Sequence, residues 1–245
     1  MLRHSPSHRR TSPVWVAVIA VAGAALATTT PSAVSPDVST NPVTAPGSIN
    51  EPPLQQYRAL RRMHAHSEKL NQEGWMEAWT ELEGRTFRYE IVSERGSEAV
   101  RNRVLRTLLK REQEVIAAGD PERAELTQNN YSFAEETTGP GVRYVNIKPK
   151  RKDALLVEGR MVLSEDGREL LRVEGILAKN PSFWTSLVNV IRHYARLGGV
   201  RVPIAVESIA RVKIAGLSRL NVEYEYESIN GRAISPAARR LVASR

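Results

Sequence analysis

The side chains best suited to chemistry in this 245-residue chain are three histidines and two glutamates. His64 and His66 are typical metal ligands, but their segment is predicted to be a helix, where residues two apart point to different faces. Glu158 and Glu174 could act as an acid–base pair, yet the hairpin predicted below places them on opposite faces of a sheet. His193 lies in a predicted strand, and the sequence identifies no partner for it. We therefore predict no metal site and no catalytic residues.

Other common catalytic motifs are missing from the sequence. The chain has no cysteine, which excludes disulfides, thiolate metal sites, cysteine nucleophiles and the acylated cysteine of a bacterial lipoprotein. No serine lies in a Gly-x-Ser-x-Gly motif, and there is no glycine-rich phosphate-binding loop. The sequence therefore predicts a non-enzymatic protein that uses no cofactor.

The net charge is +8, and the densest basic cluster is the run KPKRKD at residues 148–153. Proteins that bind single-stranded nucleic acid interleave basic and aromatic residues, and this run contains no aromatic residue. We therefore expect no nucleic-acid partner. The run is interpreted as a solvated turn, with contact to anionic lipid headgroups as the alternative.

Residues 1–27 have the pattern of a secretory signal peptide. A basic stretch precedes the apolar run at residues 14–26, and Ala25 and Ala27 form the small-x-small pattern of a cleavage site. A helix of this run's length spans about 20 Å, less than the roughly 30 Å of a membrane's hydrocarbon core. We predict a cleaved signal peptide and an exported protein of the periplasm or cell envelope, with an uncleaved N-terminal anchor as the alternative. The export route, Sec or twin-arginine, is left open.

Composition divides the remaining chain into three parts. Residues 28–53 are rich in proline, serine and threonine and nearly lack large apolar side chains, so they are predicted to form a disordered linker. Residues 54–230 carry regular apolar patterns and form the predicted folded domain. Residues 231–245 are a basic tail with weak patterning, which is expected to fray.

The first half of the domain is predicted to contain two long helices with a hairpin between them. Apolar residues at mostly helical spacing predict an amphipathic helix over residues 54–70. Alternating residues then predict two strands joined at Gly84. A longer helix is predicted over residues 97–118, with Ser97 as its N-cap and Gly119 after its end. The apolar stripe of this helix consists of Val100, Val104, Leu105, Leu108, Leu109, Val115 and Ile116.

The chain after residue 130 is predicted to form about seven strands. An Asp-Gly turn at residues 166–167 predicts a hairpin in which Gly159 faces Glu174. A break in alternation at residues 208–210 indicates a β-bulge. Because no strand–helix–strand alternation occurs here, the sheet is predicted to be antiparallel. The predicted fold class is α+β: a strongly curved antiparallel sheet, or open half-barrel, with the long amphipathic helix covering its concave face.

The element order and the motif "IKPKRKD…VEGRMVL…DG…LLRVEG" resemble the LolA/LolB superfamily of bacterial envelope proteins, which includes lipoprotein-sorting proteins and MucB/RseB-type sensors. The resemblance covers residues 54–230. It implies an open β-barrel whose concave apolar face, covered by helices, holds acyl chains, and it implies no catalytic residues. The chain lacks the lipid-modified cysteine of the membrane-anchored member of that superfamily.

We therefore predict an exported, non-enzymatic binder or carrier of lipid or lipoprotein acyl chains. The alternative is an envelope interaction or stress-sensing module that binds a protein partner without lipid. If the long helix packs loosely, an acyl chain can replace it at about 0.8 kcal/mol per buried CH₂, whereas a tightly packed helix makes the same stripe ordinary core.

The predicted ligand-binding residues lie on the long helix and on the apolar face of the sheet. They are Val104, Leu105, Leu108, Phe87, Tyr89, Val202, Ile204, Val222 and Tyr224. Phe183 and Trp184, in the loop "NPSFW", are predicted to lie at the rim. There they contact a membrane surface, close over a ligand, or fill the end of the core.

Overall fold

The computed structural model describes residues 52–119, 121–236 and 238 of the chain. The predicted signal peptide with Ala25 and Ala27, residues 28–51 of the predicted linker, and residues 239–245 of the basic tail lie outside the described residues. None of the described helices is long and apolar enough to cross a membrane.

An antiparallel sheet of eleven strands dominates the described residues. The strands are β1 (Gln56–Ser67), β2 (Gln72–Glu83), β3 (Thr86–Gly96), β4 (Tyr131–Gly139), β5 (Val142–Pro149), β6 (Val157–Ser164), β7 (Leu170–Leu177), β8 (Thr185–Leu197), β9 (Val200–Val212), β10 (Gly216–Ile229) and β11 (Arg232–Ala233). Their order is β3-β2-β1-β10-β9-β8-β7-β6-β5-β4, and β11 pairs with β10, which carries regular structure beyond residue 230. The sheet is open, with β3 and β4 as its edge strands.

The connection between the two edge strands contains the long helix, which we call the cover helix. Its three continuous segments are Glu98–Val100, a π-helical turn at Arg101–Leu105, and Arg106–Ala117, and a 3₁₀ turn follows at Pro121–Ala124. The cover helix packs against β1, β2 and β3. Leu105, Leu108 and Leu109 are buried on its inner face, as the stripe predicts. The helix predicted over residues 97–118 and the α+β class with a curved, open antiparallel sheet are therefore confirmed.

Contacts across the buried face of the sheet, here called the core face, show how far the sheet curves. Tyr131 lies in edge strand β4, yet its hydroxyl accepts a hydrogen bond from the backbone N–H of Val157 in β6, at 3.1 Å. The positive charge of Arg192 in β8 acts on both Tyr131 and Tyr224, the latter in β10. In a flat sheet β4 and β10 would lie roughly 30 Å apart. The sheet must therefore curl around its core face.

The prediction of a helix over residues 54–70 is wrong, because this segment forms β1. Its core-facing residues are Tyr57, Ala59, Arg61, Met63 and Ala65, which alternate with more exposed residues. The two-residue alternation is hard to see in the sequence, because two alanines and an arginine occupy core positions. The larger Leu60 lies on the opposite face. β1 is a central strand that pairs with both β2 and β10. Long-range pairing therefore decides the conformation of this segment.

The strand also changes the interpretation of the two histidines. On β1, His64 and His66 point to the same outward face, not to different faces. The His64 ring stacks on Trp75 with centroids 4.6 Å apart, and its Nε2 lies 3.3 Å from the Glu73 carboxylate. Within the described part of the chain, no group of histidine and acidic side chains could hold a metal ion.

The hairpin of β6 and β7 has a different register from the predicted one. Gly159 faces Gly175 rather than Glu174, because the pairing shifts by one residue between Val162 and Leu163. A β-carbon added to Gly159 would lie 2.1 Å from the carbonyl oxygen of Glu174, and one added to Gly175 would meet the opposite backbone at 2.2 Å. Glycine at both positions is what allows the two backbones to approach this closely.

The predicted bulge at residues 208–210 is also wrong. β9 pairs with β10 in an uninterrupted register, and Ser208 and Ala210 occupy buried positions of the regular alternation. The pairing of β8 with β9 is irregular elsewhere, including at His193 and Tyr194. The prediction failed because Ser208 is a small polar residue at a buried position, which interrupts the apolar alternation in the sequence but not in the strand.

Candidate functional site

Most of the predicted ligand-binding residues belong to one buried cluster, to which the cover helix and several strands of the sheet contribute. Leu105, Leu108, Phe87, Val202, Val222 and Tyr224 belong to one continuous buried cluster, with Tyr89 and Val104 partly exposed against it. Ile204 is also buried. The cover helix contacts β1, β2 and β3 directly, so it covers this part of the core face.

Two buried arginines interrupt the apolar core face, and the first is Arg61 of β1. It faces Glu112, which occupies a buried position of the cover helix. Arg61 donates hydrogen bonds to the two carboxylate oxygens of Glu112 at 2.5 and 2.8 Å, and a further bond to the Tyr57 hydroxyl at 2.6 Å. The side chains of the ion pair are 1% and 2% exposed. Inside the core, helix and sheet are thus joined by a two-pronged ion pair.

The surroundings of this pair keep its charges in place. The Arg61 guanidinium lies 4.7 Å from the ring centroid of Tyr224 and 5.2 Å from that of Phe87. Burial by itself lowers the pKa of Arg61, but Glu112, together with Tyr57 and Tyr224, outweighs burial and holds that pKa well above its usual range. Burial raises the pKa of Tyr224 to about 12 and raises that of Tyr57 further. The phenols therefore remain neutral hydrogen-bond donors.

The second arginine of the core face is Arg192, in β8. It is 5% exposed and stands between Val173 of β7 and Val206 of β9, which are buried. Its Nε and Nη2 atoms have no hydrogen-bond partner among the described residues, and neither does the hydroxyl of Ser208 in β9. The core face therefore carries one neutralised cation, Arg61, and one cation without a carboxylate partner in the described part of the chain.

Sequence reasoning missed Arg61, Glu112 and Arg192 as candidate site residues. A signal was present at two of these positions. Glu112 lies at helical spacing within the apolar stripe of the cover helix, and Arg192 continues the alternation of Val188 and Val190 in β8. A charged residue in an apolar pattern indicates either a buried partner or a functional site. For Arg61 the signal was lost with the wrong assignment of β1.

The two glutamates considered as an acid–base pair lie on the same outward face of the sheet, so their predicted placement on opposite faces is wrong. The shifted register pairs Glu158 with Ile176 and Glu174 with Arg160. Arg160 and Arg172 donate to the Glu174 carboxylate at 2.5 and 2.7 Å. Burial alone would raise the pKa of Glu174, but the two guanidiniums hold it below its ordinary value. Glu174 is therefore an ionised partner of two arginines.

A shallow groove of about 520 Å³ lies on the opposite, solvent-facing side of β10, β1, β2 and β3. Several of its charged side chains have partners. Arg62 bridges Glu77 and Glu225 at 3.3 and 2.8 Å, and Arg95 lies 4.5 Å from the centroid of the Trp75 ring. Exposed ion pairs of this kind are typical of the solvent-facing side of a sheet, so the groove needs no ligand to explain it.

The predicted rim residues lie in the loop before β8. Phe183 is 80% exposed, whereas Trp184 is partly buried. Their rings pack edge to face with centroids 5.8 Å apart, and the Lys213 ammonium lies 3.9 Å from the centroid of the Phe183 ring. Phe183 therefore does not fill the end of the core. It presents an aromatic ring with an adjacent positive charge to the solvent.

No protein-family model matches this chain, and no curated protein matches it. Among solved structures, the chain is similar to a DUF1329 family protein from Desulfovibrio piger, at 10% sequence identity and a TM-score of 0.30. The match covers 70% of this chain and 84% of that protein. The two are distant structural neighbours.

Proposed function

We propose that this chain is an exported, non-enzymatic protein of the cell envelope that binds lipid or lipoprotein acyl chains against its core face, beneath the cover helix. The observation that carries the proposal is the position of that helix. It lies in the connection between the two edge strands of an open sheet, over an apolar face. The resemblance of the sequence to the LolA/LolB superfamily supports the same function.

The contacts that hold the cover helix are suited to a lid. Besides the buried Arg61–Glu112 pair, the helix is fastened at its edge by the Arg106–Glu94 ion pair at 2.7 Å. A buried ion pair stabilises a fold no more than well-packed apolar side chains of the same size. Displacement of the helix exposes its leucine stripe and the sheet beneath. An acyl chain that enters regains about 0.8 kcal/mol for each CH₂ that it buries there.

The Phe183 loop supplies the membrane contact of this proposal. An exposed aromatic ring inserts favourably at the interface between headgroups and acyl chains. The neighbouring Lys213 is attracted to anionic headgroups. Contact at this loop would bring the protein to a bilayer from which it can take up lipid.

A protein partner is the second candidate function. Three exposed large apolar residues, Phe183, Leu187 and Ile214, lie at the end of the sheet where β8 begins and β9 ends. Such a patch also fits a partner protein. In that case the partner binds this end of the sheet and no lipid is held beneath the helix.

Native mass spectrometry of the full chain, exported to a bacterial periplasm and purified, tests the lipid proposal. We expect a co-purifying lipid or acylated peptide that is recovered by extraction. Replacement of Leu105 and Leu108 with glutamine should abolish the adduct. The matched control places glutamine at Arg103 and Lys110, which are exposed on the same helix, and should retain it. Circular dichroism shows whether each variant is folded.

A protein of bare calculated mass that also takes up no added fluorescent fatty acid contradicts lipid binding. The protein-partner function then remains, and crosslinking in intact envelopes is the way to find the partner. In that experiment, replacement of Phe183 and Ile214 with serine should remove the crosslink.

A further inference from the structure

The core face carries a cation, Arg192, that has no ion-pair partner among the described residues, and its position follows from strand alternation. Val188, Val190 and Arg192 are buried residues of β8 at alternate positions, so they point to the same side. The strand partners of Arg192 are Val173 and Val206, at 2% and 1% exposure. A guanidinium is thus held within an apolar wall, where water is largely excluded.

Comparison with Arg61 shows what Arg192 lacks. Both arginines are buried on the core face, and Arg61 donates to a carboxylate and a phenol. Arg192 has no ion pair within the described residues, and its Nε and Nη2 atoms have no acceptor there. A buried cation without a counter-ion is destabilising. Such a guanidinium is suited to bind an anion.

The core face next to Arg192 also carries a serine hydroxyl. Ser208 lies on the neighbouring strand directly opposite Val190, one step along the same face, and its hydroxyl has no partner among the described residues. The charge of Arg192 lowers the pKa of Tyr131 and of Tyr224, although burial keeps both above their ordinary value. Both phenols therefore remain protonated within the electric field of the guanidinium. A guanidinium and a neighbouring serine hydroxyl are donors suited to an oxyanion.

We propose that Arg192 binds the oxyanion, carboxylate or phosphate, of a ligand whose alkyl chain lies along the core face. This inference rests on the proposed lipid-binding function and names the ligand class as anionic amphiphiles. The valines beside Arg192 favour a ligand with an alkyl chain. A small anion would lose its hydration there and gain no apolar contacts, whereas an alkyl chain is stabilised by burial against the valines. A neutral lipid would leave the guanidinium unpaired.

Binding of three amphiphiles of equal chain length to the full, delipidated protein tests the inference. The probes are dodecanoate, dodecyl phosphate and methyl dodecanoate, measured by isothermal titration calorimetry. We expect the two anions to bind about tenfold to a hundredfold more tightly than the neutral ester, which corresponds to charge-assisted hydrogen bonds. Arg192→Met should remove this preference without lowering the affinity for the ester. Arg192→Lys keeps the charge but loses the planar guanidinium with its two parallel N–H donors. This variant should therefore retain part of the preference for anions.

Arg211→Met is the matched control, because Arg211 is exposed in β9 and the variant removes the same charge from solvent. It should bind all three probes as the wild type does. Equal binding of the anions and the ester by the wild type, or an unchanged preference in Arg192→Met, overturns the role of Arg192 and leaves lipid binding intact. Inorganic phosphate that binds as tightly as dodecyl phosphate overturns the amphiphile class. Failure of all three probes to bind overturns both proposals.

Discussion

Arg61 of β1 and Glu112 of the cover helix meet in the core through hydrogen bonds of 2.5 and 2.8 Å, with both side chains almost completely buried. The pair fixes the position of the helix along the sheet, since each charge has its counter-ion at one register only. It is also a contact that a lid can break, because water can solvate both groups once they separate.

The first prediction concerns the charge of this pair. Glu112→Gln keeps the shape of the side chain but leaves Arg61 as an uncompensated buried cation. We expect the free energy of unfolding, measured in urea, to fall by about 3–5 kcal/mol. Arg62→Gln is the control, because Arg62 pairs with two glutamates on the solvent face at 47% exposure. Loss of such an exposed pair should cost about 1 kcal/mol or less.

Removal of both charges gives a second prediction. The double variant Arg61→Met with Glu112→Leu should recover most of the stability that Glu112→Gln loses, since apolar side chains replace the buried pair without a desolvation cost. Its cover helix should open more rarely, so that uptake of a fluorescent fatty acid is slower than in the wild type. A double variant as unstable as Glu112→Gln would contradict a role based on charge.

The facing glycines of β6 and β7 give a third prediction. Gly159→Ala places a methyl group 2.1 Å from a backbone oxygen, so the two strands must separate locally. We expect a loss of roughly 2 kcal/mol or more in urea unfolding. Gly139→Ala is milder, because the nearest atom is a ring carbon of Tyr144 at 3.0 Å, and that side chain can turn away. Equal losses in the two variants would contradict the observed register.

The fourth prediction concerns stability at acid pH. Asp153 accepts hydrogen bonds from Arg123 at 2.7 Å and from the N–H of Leu155 at 3.0 Å. Burial alone would raise the pKa of Asp153, but these bonds outweigh it and hold the pKa below its ordinary value of 3.8. The stabilisation is therefore present above that value and is lost as the pH falls through the pKa of the folded state.

Asp153→Asn should accordingly lower the free energy of unfolding by about 1–3 kcal/mol at neutral pH. The difference from the wild type should shrink as the pH falls below the ordinary aspartate pKa. Urea unfolding over a pH series measures it. A difference that does not change with pH would show that the carboxylate charge of Asp153 is not responsible.

The fifth prediction tests the membrane contact. Phe183→Ala should weaken flotation of the protein with anionic vesicles while changing the free energy of unfolding by less than about 0.5 kcal/mol. Val92→Ala serves as control, because Val92 is also exposed, at 55%, but lies in β3, at the edge of the sheet and distant from Phe183 in the sequence. If both variants float like the wild type, the Phe183 loop does not contact the membrane.

The sequence by itself determined the elements whose burial repeats at a fixed spacing. The stripe from Val100 to Ile116 predicts the cover helix, and the alternation of Leu220, Val222, Tyr224 and Tyr226 predicts the buried side of β10. Such patterns are local, because each residue reports which side of its own element is covered. The antiparallel sheet followed from a run of such strands with no helices between them.

Only the tertiary structure decided the pairings between distant residues. β1 is a strand because β2 and β10 pair with it on both sides, although its core positions include alanines and an arginine. The charged residues of the core face depend on the same pairing. Arg61 meets Glu112, and Arg192 is buried without a partner among the described residues, only in the folded sheet. The energy of a buried charge depends on the groups around it in space, and the spacing of residues along the chain does not show which groups those are.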